Sequence, residues 1–243
     1  MQALAAADIV TIWEAGARQH RLDRALTLLM TSSDAQRADL ARVSIGERDR
    51  RLWALREATF GPMLEGVASC PTCGDMAEFR LLTSDVCPPC SDSSAEEYEV
   101  TAGEWQVRFR LPNSRDLAAT VKAGNGAKGE AELARRCVLR VGQAGKDVEY
   151  ATCPESVREA LDREMVRLDP QADVHLALAC PVCGHGWLAL LDIAEFFWTE
   201  LAAAARKLVG EVDVIARAYG WSEREILSMT SSRRQIYTEL ASR

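Results

Sequence analysis

Apolar residues recur every three or four positions through residues 1–65, and the period shortens to two in several later stretches. The first pattern marks amphipathic helices, the second half-buried strands. Ile9, Ile12, Trp13 and Gly16 predict one helix, and Leu22, Ala25, Leu26 and Leu29 a second near Leu22 to Met30. Ser33 followed by Gln36 reads as a capping box opening a short helix. Gly46 to Arg56 reads as a charged amphipathic helix that stops at Gly61-Pro62.

Glu78-Phe79-Arg80-Leu81-Leu82 predicts a strand, and Cys87-Pro88-Pro89-Cys90 with the polar stretch 91–97 an exposed loop. Tyr98 and Val100, then Trp105, Val107, Phe109 and Leu111, alternate with polar residues, which predicts a hairpin turning near Ala102-Gly103-Glu104. Asn113 or Ser114 caps a helix over 115–123, and Gly124 to Gly129 reads as a flexible linker. Helices follow at about 130–139 and 155–168, the latter with Pro154 at its start and a stripe of Val157, Leu161, Met165 and Leu168. Val174, Leu176 and Leu178 alternate, and Trp187 to Leu191 forms another short strand. Asp192 caps a long helix to about Ala218 with the stripe Ile193, Phe197, Leu201, Ala204, Leu208, Val212, Ile215 and Tyr219. This stripe packs against residues 1–65, and its near-heptad positions Leu201, Leu208 and Ile215 also suit a partner helix. Gly220 ends it; Ser222 with Glu225, and Trp221 with Ile226, open a last helical stretch carrying Arg233-Arg234, Ile236, Tyr237 and Leu240.

Composition narrows the class. The chain has 243 residues, 48% apolar and 27% charged, with a net charge of −7. That is ordinary for a globular protein, and the acidic balance argues against a nucleic-acid or anionic-membrane partner. No apolar run reaches the roughly 18–20 residues of a membrane span. Met1 to Asp8 lacks the basic and apolar regions of a secretory signal, so a cytoplasmic location is expected. Disulfides are disfavoured there, and the eight cysteines are read as metal ligands or buried thiols.

The cysteines carry the sharpest signal. Cys70-Pro71-Thr72-Cys73-Gly74 and Cys180-Pro181-Val182-Cys183-Gly184 share one form, and are the chain's sole internal repeat. Each sets two thiolates on a tight turn, and the Gly after the second Cys suits a positive φ. Together Cys70, Cys73, Cys180 and Cys183 make a closed four-sulfur shell for a structural Zn²⁺, with no position left for substrate. A rival set pairs Cys70 and Cys73 with Cys87 and Cys90, leaving Cys180 and Cys183 to His175, His185, Cys137 or Cys153. Cys87-Pro88-Pro89-Cys90 lacks the following Gly, Cys137 reads as a core thiol within a helix, and Cys153 has no evident role. Both pairings stand open at this point.

Other chemistry is sparse. There are three histidines and no nucleophile elbow, P-loop or dinucleotide fingerprint, so no catalytic residue is assigned. The carboxylate runs read as solvated helix faces. Arg108, Arg110 and Arg115 beside Trp105 and Phe109 make either a small nucleic-acid face or the exposed side of a half-buried strand, and the second is the simpler reading.

Several segments resemble the baseplate hub assembly chaperone family of T-even phages, and with it baseplate proteins of contractile phage tails and extracellular contractile injection systems. They are Arg21 to Leu29; Gly46-Glu47-Arg48-Asp49, Leu55-Arg56-Glu57 and Phe60-Gly61; the first knuckle with Glu78-Phe79; and Trp105 with Arg108 to Pro112. The pattern continues through Leu178 to His185, Asp192-Ile193, Phe197-Trp198, Glu200-Leu201, Ala218 to Glu223, Ile226-Leu227, Arg233-Arg234 and Tyr237. The resemblance implies a non-catalytic structural or assembly role, with hub, wedge or spike proteins of a contractile tail as partners. The expected fold is α+β, with helical ends around a zinc-ribbon-like centre that carries a β-hairpin and helix insertion. Its parts are the N-terminal helical region 1–65, the first ribbon half and loop 66–97, the insertion 98–172, the second ribbon half 173–192 and the C-terminal long helix and tail 193–243. The alternative function is a zinc-ribbon regulator that binds nucleic acid.

Overall fold

A computed structural model describes residues 2–33, 35–86, 95–124 and 126–242. Cys87-Pro88-Pro89-Cys90, the exposed loop and rival ligand pair, lies outside the described residues. In chain order the elements are α1 (Ala6–Gly16), α2 (Arg21–Thr31), α3 (Arg37–Leu40), α4 (Ile45–Phe60), β1 (Met63–Ser69), β2 (Met76–Leu82), α5 (Thr83–Val86), β3 (Tyr98–Ala102) and β4 (Trp105–Phe109). They continue with α6 (Ser114–Ala123), α7 (Ala127–Cys137), β5 (Val138–Gln143), β6 (Lys146–Asp147), α8 (Glu155–Leu168), β7 (His175–Ala179), β8 (Gly186–Leu190), α9 (Ile193–Tyr219), α10 (Glu223–Leu227) and α11 (Ser231–Ala241). The mixture of helix and sheet is the α+β class expected.

The first core is helical. Ile9 and Ile12 of α1, Leu28 and Leu29 of α2, and Leu52 and Leu55 of α4 pack on Phe197, Leu201 and Leu208 of α9. The apolar stripe of α9 is thus buried against the N-terminal helices, as its period predicts. The side chain of Asp192 accepts the Ala194 and Glu195 N–H groups at the start of α9, and Ser44 accepts the Glu47 N–H at the start of α4. Such caps satisfy backbone donors that have no partner inside the helix. The capping box expected at Ser33 does not form. Its hydroxyl donates backward to the Leu29 carbonyl at 3.0 Å, closing α2 instead, and α3 starts without a side-chain cap.

A second core lies in the insertion. The sheet runs β3-β4-β5-β6, and Val107, Phe109 and Val141 pack with Val157, Leu161 and Leu168 of α8. Two expectations fail here. The glycine-rich stretch is already helical from Ala127, and the helix expected to reach residue 139 ends at Cys137, whereupon the chain joins the sheet as β5. Cys137 is fully buried at the helix end rather than in its middle.

The two cores are latched at the start of α4. The Gly46 N–H donates to Asp169 Oδ2 at 2.9 Å, and the Ser44 hydroxyl to Asp169 Oδ1 at 3.2 Å. The Ile45 N–H donates to the Pro112 carbonyl at 3.0 Å. Asp169 comes from the end of the insertion, so a carboxylate distant in sequence fills the electropositive N-terminus of α4. A Cβ on Gly46 would stand 2.0 Å from Asp169 Oδ1, which is why this position takes glycine.

Candidate metal centre

Both knuckles sit at the tips of antiparallel hairpins, β1–β2 and β7–β8. The strand entering the first knuckle, β1, was missed in the sequence reading, which ended the helical region at residue 65 and began the ribbon half at 66. The two tips are built alike. In the first, the Cys70 N–H donates to the Asp75 carbonyl at 2.8 Å and the Gly74 N–H to the Cys70 carbonyl at 2.9 Å. In the second, Cys180 donates to the His185 carbonyl at 2.9 Å and Gly184 to the Cys180 carbonyl at 3.0 Å. Gly74 and Gly184 take φ of +77° and +70°, the left-handed turn that the CxxCG form anticipates.

The tips face each other. Cys70 Sγ lies 3.7 Å from Cys183 Sγ, and Cys73 Sγ 3.5 Å from Cys180 Sγ. All four sulfurs fall within 4.8 Å of one another. A tetrahedron of sulfurs each about 2.3 Å from zinc has edges of about 3.8 Å, so the donor set has the dimensions of a closed thiolate site. Among the described residues this is the cluster of His, Cys and carboxylate groups that could hold a metal ion. Cys70 and Cys180 are buried, while Cys73 and Cys183 form the outer edge.

Four thiols this close compete for charge. Burial opposes ionisation of Cys70, but the N–H groups of Cys73 and Thr72 and the Cys183 thiol bring it down to about 6. At Cys73 the Asp75 N–H favours the thiolate, yet the Cys180 and Cys183 sulfurs outweigh it and push the thiol up to about 12. A soft divalent cation relieves this conflict by neutralising the sulfurs together.

The remaining candidates fall elsewhere. The His185 ring stacks beside Trp187 with centroids 6.3 Å apart, while its backbone serves the knuckle. His175 pairs with Asp173 at 3.6 Å. Cys153 is buried in the second core, remote from the four sulfurs in role. The basic face at Arg108, Arg110 and Arg115 dissolves into internal contacts. Arg108 pairs with Glu97, Arg115 donates to the Ala38 carbonyl, and Arg110 grips Asp116 through both terminal nitrogens at 2.6 and 2.9 Å.

The reading of carboxylates as solvated is wrong for three aspartates. Asp116 is fully buried between Arg110 and Arg136; burial opposes its charge, but these guanidiniums and the Asn113 N–H hold its carboxyl below the ordinary range. Asp49 pairs with Arg48 at 2.7 Å, both buried, and Asp169 is the latch described above. Arg56, also buried, donates to Glu200 at 2.6 and 2.9 Å and to the carbonyls of Gly61 and Met63. The spacing of Ile45, Arg48, Leu52, Leu55 and Arg56 on one helical face could have found these groups.

The keystones are residues of the family pattern: Gly46, Arg48, Asp49, Arg56 and Glu200 all belong to the segments that carry the resemblance. No curated protein and no solved structure matches the chain. A family model described as T4 bacteriophage base plate protein matches residues 19–198, a span that takes in both knuckles and most of the chain. The chain therefore belongs to the T4 bacteriophage base plate protein family.

Proposed function

We propose that this protein is a non-catalytic component or assembly factor of a contractile-tail baseplate, in a phage or an extracellular injection system, and that Zn²⁺ on Cys70, Cys73, Cys180 and Cys183 staples its scaffold. The family match carries the baseplate reading. The sulfur geometry supports the metal, and four sulfur ligands leave no coordination position for water or substrate. The clamp holds the helical region and the insertion in one relation, and their surfaces dock hub, wedge or spike proteins during assembly in the cytoplasm. No helix among the described residues is long and apolar enough to cross a membrane. The nucleic-acid alternative loses its support, because the arginines that suggested it are engaged inside the molecule.

Co-expression with the hub, wedge and spike proteins of one contractile system tests the baseplate role. A stable complex with at least one of them is expected; co-purification with none would refute docking. Metal analysis tests the clamp: one zinc per chain is expected, lost in Cys180→Ser. Full zinc and unchanged stability in that variant would overturn the ligand set.

A further inference from the structure

The two clamp hairpins share a backbone plan and differ in surface. The Leu191 N–H donates to the Val174 carbonyl at 2.8 Å and the Cys180 N–H to the His185 carbonyl at 2.9 Å, which fixes the phase of the β7–β8 ladder. Hydrogen-bonded and non-hydrogen-bonded pairs alternate along an antiparallel ladder. The pairs His175–Leu190, Ala177–Leu188 and Ala179–Gly186 are therefore the non-bonded ones. The N–H and C=O groups of Gly186, Leu188 and Leu190 point away from β7, along the outer edge of β8. Strand β8 pairs with β7 alone, and β7 is the strand that lies beside β2.

This edge lacks the usual protection against strand addition, since β8 carries no charge, no proline and no bulge. Its outer face is apolar. Leu188 and Leu190 are 69% and 63% exposed, and Ala177 and Ala179 lie exposed beside them. On the sister hairpin the corresponding outer face carries Glu65 and Arg80, paired at 3.0 Å, and Glu78. One hairpin is dressed for water and the other is not.

We infer that β8 is where two copies of this chain pair, antiparallel, about a two-fold axis through Leu188. In that register Leu188 meets its symmetry mate and Gly186 meets Leu190. Every outward-facing residue then lies opposite another, so each free N–H finds a C=O. A two-fold interface must be complementary to itself, and an uncharged strand meets this condition without opposing like charges. The same pairing about Glu65 of β1 would set two carboxylates face to face. Two hairpins, each marginal as a two-stranded unit, become one four-stranded sheet with the Leu188 and Leu190 side chains side by side.

Sedimentation equilibrium of the metal-loaded full chain reads the outcome. Twice the chain mass is expected for the wild type and for Val67→Lys, and one chain mass for Leu188→Lys. Leu188→Pro should also be monomeric, because it removes an outward N–H that the β7–β8 ladder does not use. Hydrogen exchange on the wild type, independent of any variant's folding, should show the Gly186, Leu188 and Leu190 amides slowing as concentration is raised. A monomeric wild type, including one whose β8 edge serves a strand of a different protein, overturns the inference. So does a dimer that survives Leu188→Pro, or exchange at those three amides that ignores concentration.

Discussion

Arg48, Asp49 and Arg56 put three charges of one helix inside the protein, where a charge is tolerated only if it is paired and hydrogen-bonded. Arg56 meets that condition through Glu200 and two carbonyls. Removing the acid strands the guanidinium, so Glu200→Ala should destabilise by about 3 kcal/mol, the low end for a broken buried pair because Glu200 is a quarter exposed. Urea unfolding measures it, and a loss within experimental error would mean Arg56 is satisfied by the carbonyls alone. Asp49 is the less comfortable group. Burial pushes its carboxyl up to about 6, against the pull of Arg48. The folded protein therefore holds this proton more tightly than the unfolded chain, where Asp titrates near 4. The stability linked to Asp49 is present below about pH 4 and lost as pH rises through about 6. The unfolding free energy of the wild type minus that of Asp49→Asn should fall by up to about 3 kcal/mol across that window. Both proteins keep the four cysteines, so metal-linked titration cancels; a flat difference would refute the assignment. At this scale the sequence showed the sulfur ligand candidates plainly but hid the buried charges, because a charged letter on a helix says nothing about its partner.

The latch at α4 makes a prediction about elements. Gly46→Ala drives a methyl into Asp169 and toward the Ala172 backbone, and should cost roughly 1–3 kcal/mol, read as a lower urea midpoint. An unchanged midpoint would show that the helix end and Asp169 part easily. Most helices were legible from period and cap: α1, α2, α4, α6, α8 and α9 stand where their stripes put them. The strands β1 and β5 were not, each for a local reason. In β1 the alternation breaks at Gly66, a residue kept small because the Phe79 ring lies across it, 2.5 Å from where a Cβ would sit. In β5, Val138 pairs with Phe109 and Arg140 with Arg108, so a bulge at this point leaves Leu139 as the extra residue. Val138 and Val141 then both reach the second core despite a spacing of three, which mimics a helix.

Over the whole molecule, the helical core and the clamp make separable contributions. The core of α1, α2, α4 and α9 contains no sulfur ligand. Chelation of the metal should therefore free the amides of the β1–β2 and β7–β8 tips to exchange while those of Leu52 and Leu201 stay protected, as hydrogen-exchange mass spectrometry can follow. Loss of protection everywhere at once would mean that the clamp and the helical core fold as one unit. The clamp also has a topological effect. Cys73 and Cys180 are 107 residues apart, so the metal turns the whole insertion into a closed loop whose two ends leave from one point. The entropy of closing such a loop grows only with the logarithm of its length, and doubling the loop adds about 0.6 kcal/mol. The sulfurs thus form a port at which the inserted segment can lengthen, shorten or be exchanged with little effect on the base that carries it.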